Sequence, residues 1–214
     1  MTITHHPEFE SLMSCSAGSM PEAFAAVMAS HIEVCSVCRK ELSLMQEIGV
    51  AMFEKVAPLP LSQQVSVSAL GADEAGLDDD HRLTVSNDVP RAIAGVIGHS
   101  LDIVPWKRLS PGVWQHHIAL HQPNRGELRL IKVAPGQKLP EHGHRGSEIT
   151  LVLRGAYSDN TGRYQAGDVS DLSEDMAHAP VADEKDGCIC LIATENRLQF
   201  KGRIARLVQP LVGI

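Results

Sequence analysis

The first third of the chain repeats apolar residues at intervals of three and four, which is the spacing of amphipathic helices. Pro7 and Gly18 predict the ends of a first helix, and Ser19 with Glu22 forms a capping box that predicts the start of a second. A third helix is predicted over residues 36–56. Its apolar stripe consists of Leu42, Met45, Ile48, Met52, Phe53 and Val56. A stripe of this kind is usually core, but it exceeds what three short helices can cover, so part of it is a candidate partner surface.

A linker is predicted over residues 57–89. Pro58 and Pro60 break the helical pattern, and the three aspartates that follow Leu77 are typical of a solvated segment. Within this linker, only residues 62–70 resemble a helix, and that helix would be weak.

After a short predicted helix at 90–97, apolar residues alternate with polar ones, as they do in β-strands. Gly and Pro separate these segments, and the intervals leave no room for crossover helices, so the sheet should be antiparallel. The predicted strands are 115–121, 127–134, 149–153, 188–194 and 204–212. The sequence thus predicts two domains: an all-α N-terminal domain with its acidic linker at 1–85, and an all-β antiparallel sandwich or barrel at 86–214.

Composition narrows the class of protein. The 214 residues are 43% apolar and 21% charged. They include neither a run of about 18 apolar residues nor a secretory leader, so we predict a cytoplasmic protein without a membrane segment. Five cysteines at uneven spacings indicate metal ligands and buried thiols rather than a disulfide framework.

Charge is unevenly distributed along the chain. Residues 1–56 carry seven Glu and three Lys or Arg, a net of −4, and residues 57–89 carry six acidic residues and one Arg, a net of −5. Residues 90–214 carry thirteen acidic and fifteen basic residues, a net of +2. An acidic N-terminal half does not favour binding to nucleic-acid phosphates, but it suits a basic protein partner.

One short stretch combines three side chains that bind metals. His31, Cys35 and Cys38 recur at intervals of four and three residues, which places them on one face of a helix or helix corner. A tetrahedral ion would need a fourth donor, for which His5 and His6 are both candidates. If Cys38 lies in the first turn of the next helix, the helix dipole favours its thiolate. The alternative is that His31 is a surface residue and both cysteines fill the core.

The β-rich half contains a second constellation. Alternation on a strand would send His142 and His144 to the same face, Glu148 follows four residues later, and His178 arrives from a distant strand. Three imidazoles and a carboxylate suit zinc, manganese, iron, nickel or copper. This spacing resembles the first motif of the cupin superfamily, and the interval from Gly167 to His178 resembles the second. In that second motif the usual Pro, Gly and Asn are replaced by Ser173, Asp175 and Ala182.

With both motifs in place, the whole chain resembles a ChrR-type anti-sigma factor. The resemblance implies that the N-terminal domain holds one zinc ion and binds an extracytoplasmic-function sigma factor, blocking its access to core polymerase. It also implies that the cupin domain, with zinc or another divalent transition metal, responds to singlet oxygen or related oxidants. The zinc ligands implied by the resemblance are His6, His31, Cys35 and Cys38.

The resemblance implies a regulator rather than an enzyme. The main alternative is a cupin-type metal-dependent dioxygenase or isomerase with a regulatory N-terminal domain, because the second ligand set could leave a coordination position open for substrate. However, no further paired carboxylate, Lys or Tyr stands at a spacing that indicates a general acid or base. A nucleic-acid-binding zinc module is disfavoured by the charge and lacks a second Cys pair or a basic recognition helix.

Overall fold

A computed structural model describes residues 2–59, 88–121, 126–143, 146–172, 177–195 and 199–200. Within these ranges the helices precede the strands, as the hydrophobic periodicity predicts. The helices are α1 (Phe9–Ser16), α2 (Glu22–Val34), α3 (Ser36–Phe53) and α4 (Arg91–Ile97). The weak helix predicted near 62–70 lies outside the described residues. No helix in the described part of the chain is long and apolar enough to cross a membrane.

The start of α2 differs from the prediction. The capping box at Ser19 was wrong, because Pro21 occupies the N-cap and no side chain caps this helix. Ser19 lies two residues too early, and its hydroxyl donates instead to the carbonyl of Ser14 at 3.2 Å. In contrast, α3 is capped by a side chain, since the backbone N–H of Cys38 donates to Cys35 Sγ at 3.5 Å.

The second half of the described chain forms one eight-stranded and one two-stranded sheet, and every pairing between the described strands is antiparallel. The strands are β1 (Lys107–Ser110), β2 (Val113–Ile118), β3 (Glu127–Val133), β4 (His142–Gly143), β5 (Glu148–Ser158), β6 (Arg163–Gln165), β7 (Val169–Leu172), β8 (Val181–Ala182), β9 (Cys188–Thr194) and β10 (Gln199–Phe200). The strand predicted at 204–212 lies outside the described residues. An all-α N-terminal part followed by an antiparallel β part confirms the predicted fold class.

The long strand β5 organises the sheet. It pairs with β9 along its length, with β7 at its start, and with β6 and β8 at its end. Its register against β9 shifts between Val152 and Arg154, which bends the strand. Beyond the bend, Gly155 has a φ of +74°, and a Cβ there would lie 2.1 Å from the carbonyl oxygen of Gly187. Only glycine fits this close approach of two backbones.

The helices and the sheet share one hydrophobic core. Phe24, Val27, Met28 and His31 recur at the spacing of one face of α2, and all four side chains are buried. This face contacts β3, β5 and β9. The same cluster includes Leu12, Ile149, Leu151, Leu191 and Ala193. The helical part is therefore packed directly on the β part.

Candidate metal sites

Four side chains from three segments converge between α2 and α3. His31 is in the last turn of α2, Cys35 lies between the two helices, and Cys38 is in the first turn of α3. His6 approaches from the extended segment that precedes α1. One donor atom from each of these four side chains lies within 4.8 Å of the other three. The spacing of the short motif thus brings its members together, and the chain folds back to add a fourth donor.

The distances suit a tetrahedral ion. His6 Nδ1 lies 3.4 Å from Cys35 Sγ and 3.3 Å from Cys38 Sγ, and His31 Nε2 lies 3.3 Å from Cys38 Sγ. In a zinc site with Zn–S of about 2.3 Å and Zn–N of about 2.0 Å, neighbouring donors lie about 3.5 Å apart. This group of His6, His31, Cys35 and Cys38, which we name the thiol cluster, could therefore bind a metal.

The protonation of this cluster also fits a cation. Burial lowers the pKa of His31, which keeps the imidazole neutral. Its Nδ1–H donates to the carbonyl oxygen of Gly167 at 2.9 Å, so Nε2 presents its lone pair to the cluster. Burial and the neighbouring Cys35 raise the pKa of Cys38 to about 12. Without an ion Cys38 is therefore a neutral thiol, and the effect expected of the helix dipole does not outweigh burial and the neighbouring Cys35. A bound metal ion would supply the positive charge that favours its thiolate.

The structure distinguishes between the two N-terminal histidines. His6 reaches the thiols, whereas the ring of His5 lies against Tyr164, with ring centroids 4.4 Å apart. The backbone N–H of His5 donates to Asp168 Oδ1 at 3.0 Å, and that of Thr4 donates to the same oxygen at 2.7 Å. The Asp168 side chain is completely buried, so the β part holds the segment that carries His6.

Three of the four residues in the second predicted set lie in the described part of the chain. His142 is in β4, Glu148 begins β5, and His178 forms an isolated bridge with His142. All three side chains are buried. His144 lies outside the described residues.

The two imidazoles of this set are oriented toward one another. His142 Nδ1 donates to the carbonyl oxygen of Pro140 at 2.9 Å, and His178 Nδ1 donates to Asp159 Oδ2 at 2.8 Å. With both Nδ1 protons engaged, the two Nε2 lone pairs face one another at 3.1 Å. A cation beside the two nitrogens would relieve this repulsion, so the pair of imidazoles fits a metal. In the described part of the chain, however, only His6, His31, Cys35 and Cys38 bring three or more donors together, and Glu148 does not join the two histidines in such a group.

Burial and hydrogen bonds set the protonation of His142, Glu148 and Asp159. It lowers the pKa of His142 to about 4 and raises the pKa of Glu148 to about 7. Burial also opposes ionisation of Asp159, but hydrogen bonds from His178 and Thr161 outweigh it and lower the Asp159 pKa to about 2. Asp159 is therefore the charged partner that orients His178. No sequence motif indicates this residue, because it stands at no fixed interval from the histidines.

Cys188 and Cys190 lie away from the thiol cluster. Both are buried on β9, in a second apolar cluster with Val113, Val133, Val152 and Tyr157. A hydrogen bond with Cys188, together with burial, raises the pKa of Cys190 well above its ordinary value. Their environment matches the packing role that the sequence indicates.

Known proteins resemble this chain in sequence and in fold. Residues 96–197 match the family model described as the ChrR Cupin-like domain. The Anti-sigma-E factor ChrR of Cereibacter sphaeroides is 36% identical over 217 residues, and the alignment covers all of both chains. The crystal structure of Rhodobacter sphaeroides SigE in complex with the anti-sigma ChrR matches with a TM-score of 0.79 and 35% identity, covering 90% of this chain and 100% of that one. The chain therefore belongs to the ChrR family of anti-sigma factors.

Proposed function

We propose that this chain binds and sequesters an extracytoplasmic-function sigma factor through its N-terminal helices. The observation that carries the proposal is the second half of α3. Every residue from 46 to 59 is exposed, including the large apolar side chains of Ile48, Met52 and Phe53. Exposed apolar surface of this size typically marks a protein interface. The full-length similarity to ChrR and the match to the SigE–ChrR complex support a sigma factor as the partner.

The thiol cluster holds zinc and fixes the base of this surface. Its donors are His6, His31, Cys35 and Cys38, so one ion ties the N-terminal segment to the junction of α2 and α3. Structural zinc contributes about 10–16 kcal/mol in small zinc modules, which is as much as the whole stability of a small domain. Zinc at this position would therefore decide whether α3 is presented to a partner.

The β part acts in release of the partner rather than in catalysis. Its site contains His142, Glu148 and His178 in the described chain, with His144 as the fourth predicted donor, and it suits zinc or another divalent transition metal. Oxidants such as singlet oxygen are the proposed signal, and the cytoplasm is the proposed location. The division into residues 1–85 and 86–214 is part of this proposal, with the first unit binding and the second sensing.

Co-expression with candidate sigma factors, followed by affinity capture of this chain, tests the proposal. We expect one sigma factor to co-purify with the wild-type chain together with about one zinc in the thiol site. Replacing Cys35 and Cys38 together by Ser should abolish both. Cys15→Ser is the matched control, because Cys15 is a half-buried cysteine of the same helical part that lies outside the cluster.

Two results would contradict the proposal. A Cys35→Ser, Cys38→Ser chain that still captures the sigma factor without zinc would show that the cluster does not maintain the binding surface. Metal-dependent turnover of a small molecule with oxygen, without capture of any sigma factor, would favour the cupin-type enzyme instead.

A further inference from the structure

The segment between β5 and β7, which contains β6, contacts a member of each candidate metal site. Its residues 159–168, which we name the clasp, begin at the partner of His178 and end at the partners of the N-terminal segment. Every contact that joins these two ends lies in the described chain. The clasp therefore provides a continuous physical connection between the two sites.

The first half of the clasp starts at the buried imidazole of His178. Its Nδ1 donates to Asp159 Oδ2 at 2.8 Å, and the other carboxylate oxygen of Asp159 accepts from Thr161 Oγ1 at 2.6 Å. The Thr161 hydroxyl lies 3.0 Å from the hydroxyl of Tyr164. Asp159 also accepts from the backbone N–H groups of Thr161 and Gly162 at 2.8 and 3.2 Å. Displacement of His178 would therefore disturb the carboxylate that shapes this turn.

The second half of the clasp holds the N-terminal segment. The ring of Tyr164 lies against His5, and the buried carboxylate of Asp168 accepts the backbone N–H groups of Thr4 and His5. The N–H of Val169 donates to the carbonyl oxygen of His5 at 3.2 Å. The next residue along the chain is His6, whose Nδ1 faces both thiols of the thiol cluster. Whatever positions His5 thus positions His6.

The clasp contacts the thiol cluster a second time. The carbonyl oxygen of Gly167 accepts from Nδ1 of His31, at 2.9 Å. Two of the four donors in that cluster, His6 and His31, are therefore oriented by ten consecutive residues of the β part. The remaining two, Cys35 and Cys38, lie at the junction of α2 and α3.

We propose that the clasp couples the two candidate metal sites, so that a change of ligation at His178 loosens the segment that carries His6. The inference rests on the proposed function, because His6 affects binding of the partner only if the thiol cluster holds an ion. The inference adds the chain of contacts through which the β part acts on the helices proposed to bind the sigma factor. A contiguous network carries coupling only if its members respond together, so the test must measure non-additivity.

The test is a double-variant cycle on the full chain, without a partner. Cobalt(II) is the probe, because thiolate-to-cobalt charge transfer reports the Cys35/Cys38 cluster and not the imidazole and carboxylate site. The rate at which a chelator removes this band is measured for the wild-type chain, His178→Ala, Tyr164→Phe and the double variant. Amide hydrogen exchange over residues 2–8 is a second readout, and it needs no ion in the thiol cluster.

We expect His178→Ala to accelerate loss of the band and exchange of residues 2–8 about tenfold, a coupling within the usual range for linked sites. In the Tyr164→Phe background, which removes the hydroxyl link but retains the ring, His178→Ala should have less than a twofold effect. Thr161→Val breaks the same link and should reproduce this result if Tyr164→Phe folds poorly. The matched control is Tyr157→Phe, since Tyr157 stacks on Tyr164 but its buried hydroxyl makes no hydrogen bond to the clasp residues 159–168.

Additive effects of His178→Ala and Tyr164→Phe would overturn the proposal, as would loss of the His178→Ala effect in the Tyr157→Phe background. A chain that shows no thiolate band with cobalt would contradict the proposed helical metal site instead. In that case hydrogen exchange over residues 2–8 still decides whether the clasp transmits the change at His178.

Discussion

At the scale of single residues, both candidate sites depend on acceptors that fix the tautomer of a histidine. A neutral imidazole that donates through Nδ1 presents Nε2 as a lone pair, which is the form that binds a metal. The backbone and one carboxylate impose this form before any ion arrives. The acceptors are the carbonyl of Gly167 for His31, the carbonyl of Pro140 for His142, and the carboxylate of Asp159 for His178.

The first prediction distinguishes the neighbouring histidines of the N-terminal segment. His6→Ala should weaken zinc binding to the thiol cluster by more than about 100-fold, because it removes a donor that lies 3.3 and 3.4 Å from the two sulfurs. His5→Ala should weaken it by about tenfold or less, since His5 acts only by holding the segment. Competition for zinc with a chromogenic chelator measures both. Equal losses in the two variants would mean that His6 is not a ligand.

The second prediction concerns Asp168. Its pKa lies below the ordinary value because, against the opposing effect of burial, its carboxylate accepts three backbone N–H groups, those of Gln165, Thr4 and His5. Hydrogen bonds to charged groups contribute about 1.5–3 kcal/mol, so Asp168→Asn should lower the free energy of unfolding by about 2 kcal/mol at pH 7.

The pH dependence of this difference follows from the direction of the shift. A carboxyl with a lowered folded-state pKa stabilises the fold above its unfolded pKa, and the stabilisation is lost as pH falls through the folded pKa. The gap between wild type and Asp168→Asn should therefore be full at pH 7 and shrink below about pH 4. Urea denaturation across this range measures it. Asp171→Asn is the control, because Asp171 accepts an exposed hydrogen bond from the N–H of Glu8.

The sequence predicts some members of these sites and not others, for a physical reason. His31, Cys35 and Cys38 belong to one helix corner, so their spacing alone places them together. The choice between His5 and His6 depends on how an extended segment docks on a distant hairpin, and no local periodicity encodes that. Asp159 and Asp168 were missed for the same reason, because each meets its partner through the tertiary fold rather than through sequence proximity.

At the scale of elements, α3 has two different halves. The half near Cys38 is anchored by the cluster and by partly buried contacts at Leu42 and Met45, whereas residues 46–59 extend into solvent. A stripe of Leu44, Ile48 and Met52 at four-residue intervals is exposed by more than half. The predicted apolar stripe is therefore core only at its start, and its remainder is available to a partner.

The third prediction follows from this exposed half. Phe53→Asp and Met52→Asp should each weaken binding of the co-purifying sigma factor by at least about tenfold, because apolar anchors at an interface often contribute more than 1 kcal/mol. The melting temperature should not change, since Phe53 is 77% and Met52 67% exposed. Val96→Asp on α4, where Val96 is 58% exposed, is the control. Titration calorimetry that gives the same affinity for all three variants would exclude α3 as the binding surface.

The helices and long strands were easier to predict than the short strands. The strands β3 and β9 have seven residues each, and their apolar residues are frequent enough to indicate a strand from the sequence alone. By contrast, β4, β6, β7 and β8 have two to four residues, too few to show alternation, and β7 contains Ser170 and Asp171. These short strands exist because β5 pairs with β6, β7 and β8, and β10 pairs with β4, which is tertiary information.

At the scale of the whole molecule, the two parts are joined by their core. The apolar face of α2 is buried against β5 and β9, and Arg91 of α4 pairs with Glu33 of α2 at 3.1 Å. A helical fragment freed from the sheet would expose Val27 and Met28, which are fully buried in the intact chain. Zinc and the sigma factor would then have to supply the stability that the sheet provides here.

The fourth prediction tests whether binding and release are separable. Residues 1–85 contain all four donors of the thiol cluster and the whole of α3, so this fragment should still inhibit the sigma factor. Its inhibition should require zinc more strictly than that of the full chain, because the fragment lacks the sheet under α2. Transcription assays with and without a zinc chelator measure this. A fragment that is folded with zinc but does not inhibit would show that the β part belongs to the binding surface.

The same prediction has a second arm in the β part. Replacing His142, His144 and Glu148 together by Ala removes predicted donors of the second site but retains His178 and its hydrogen-bond partner Asp159, so the clasp still holds the segment that carries His6. This variant should repress normally yet fail to release the sigma factor when oxidant is added, because a signal relieves repression only through a state that it favours. Normal induction would show that the second site is not the sensor. Cys35 and Cys38 would then be the oxidation target, since loss of their ion would release the base of α3 directly.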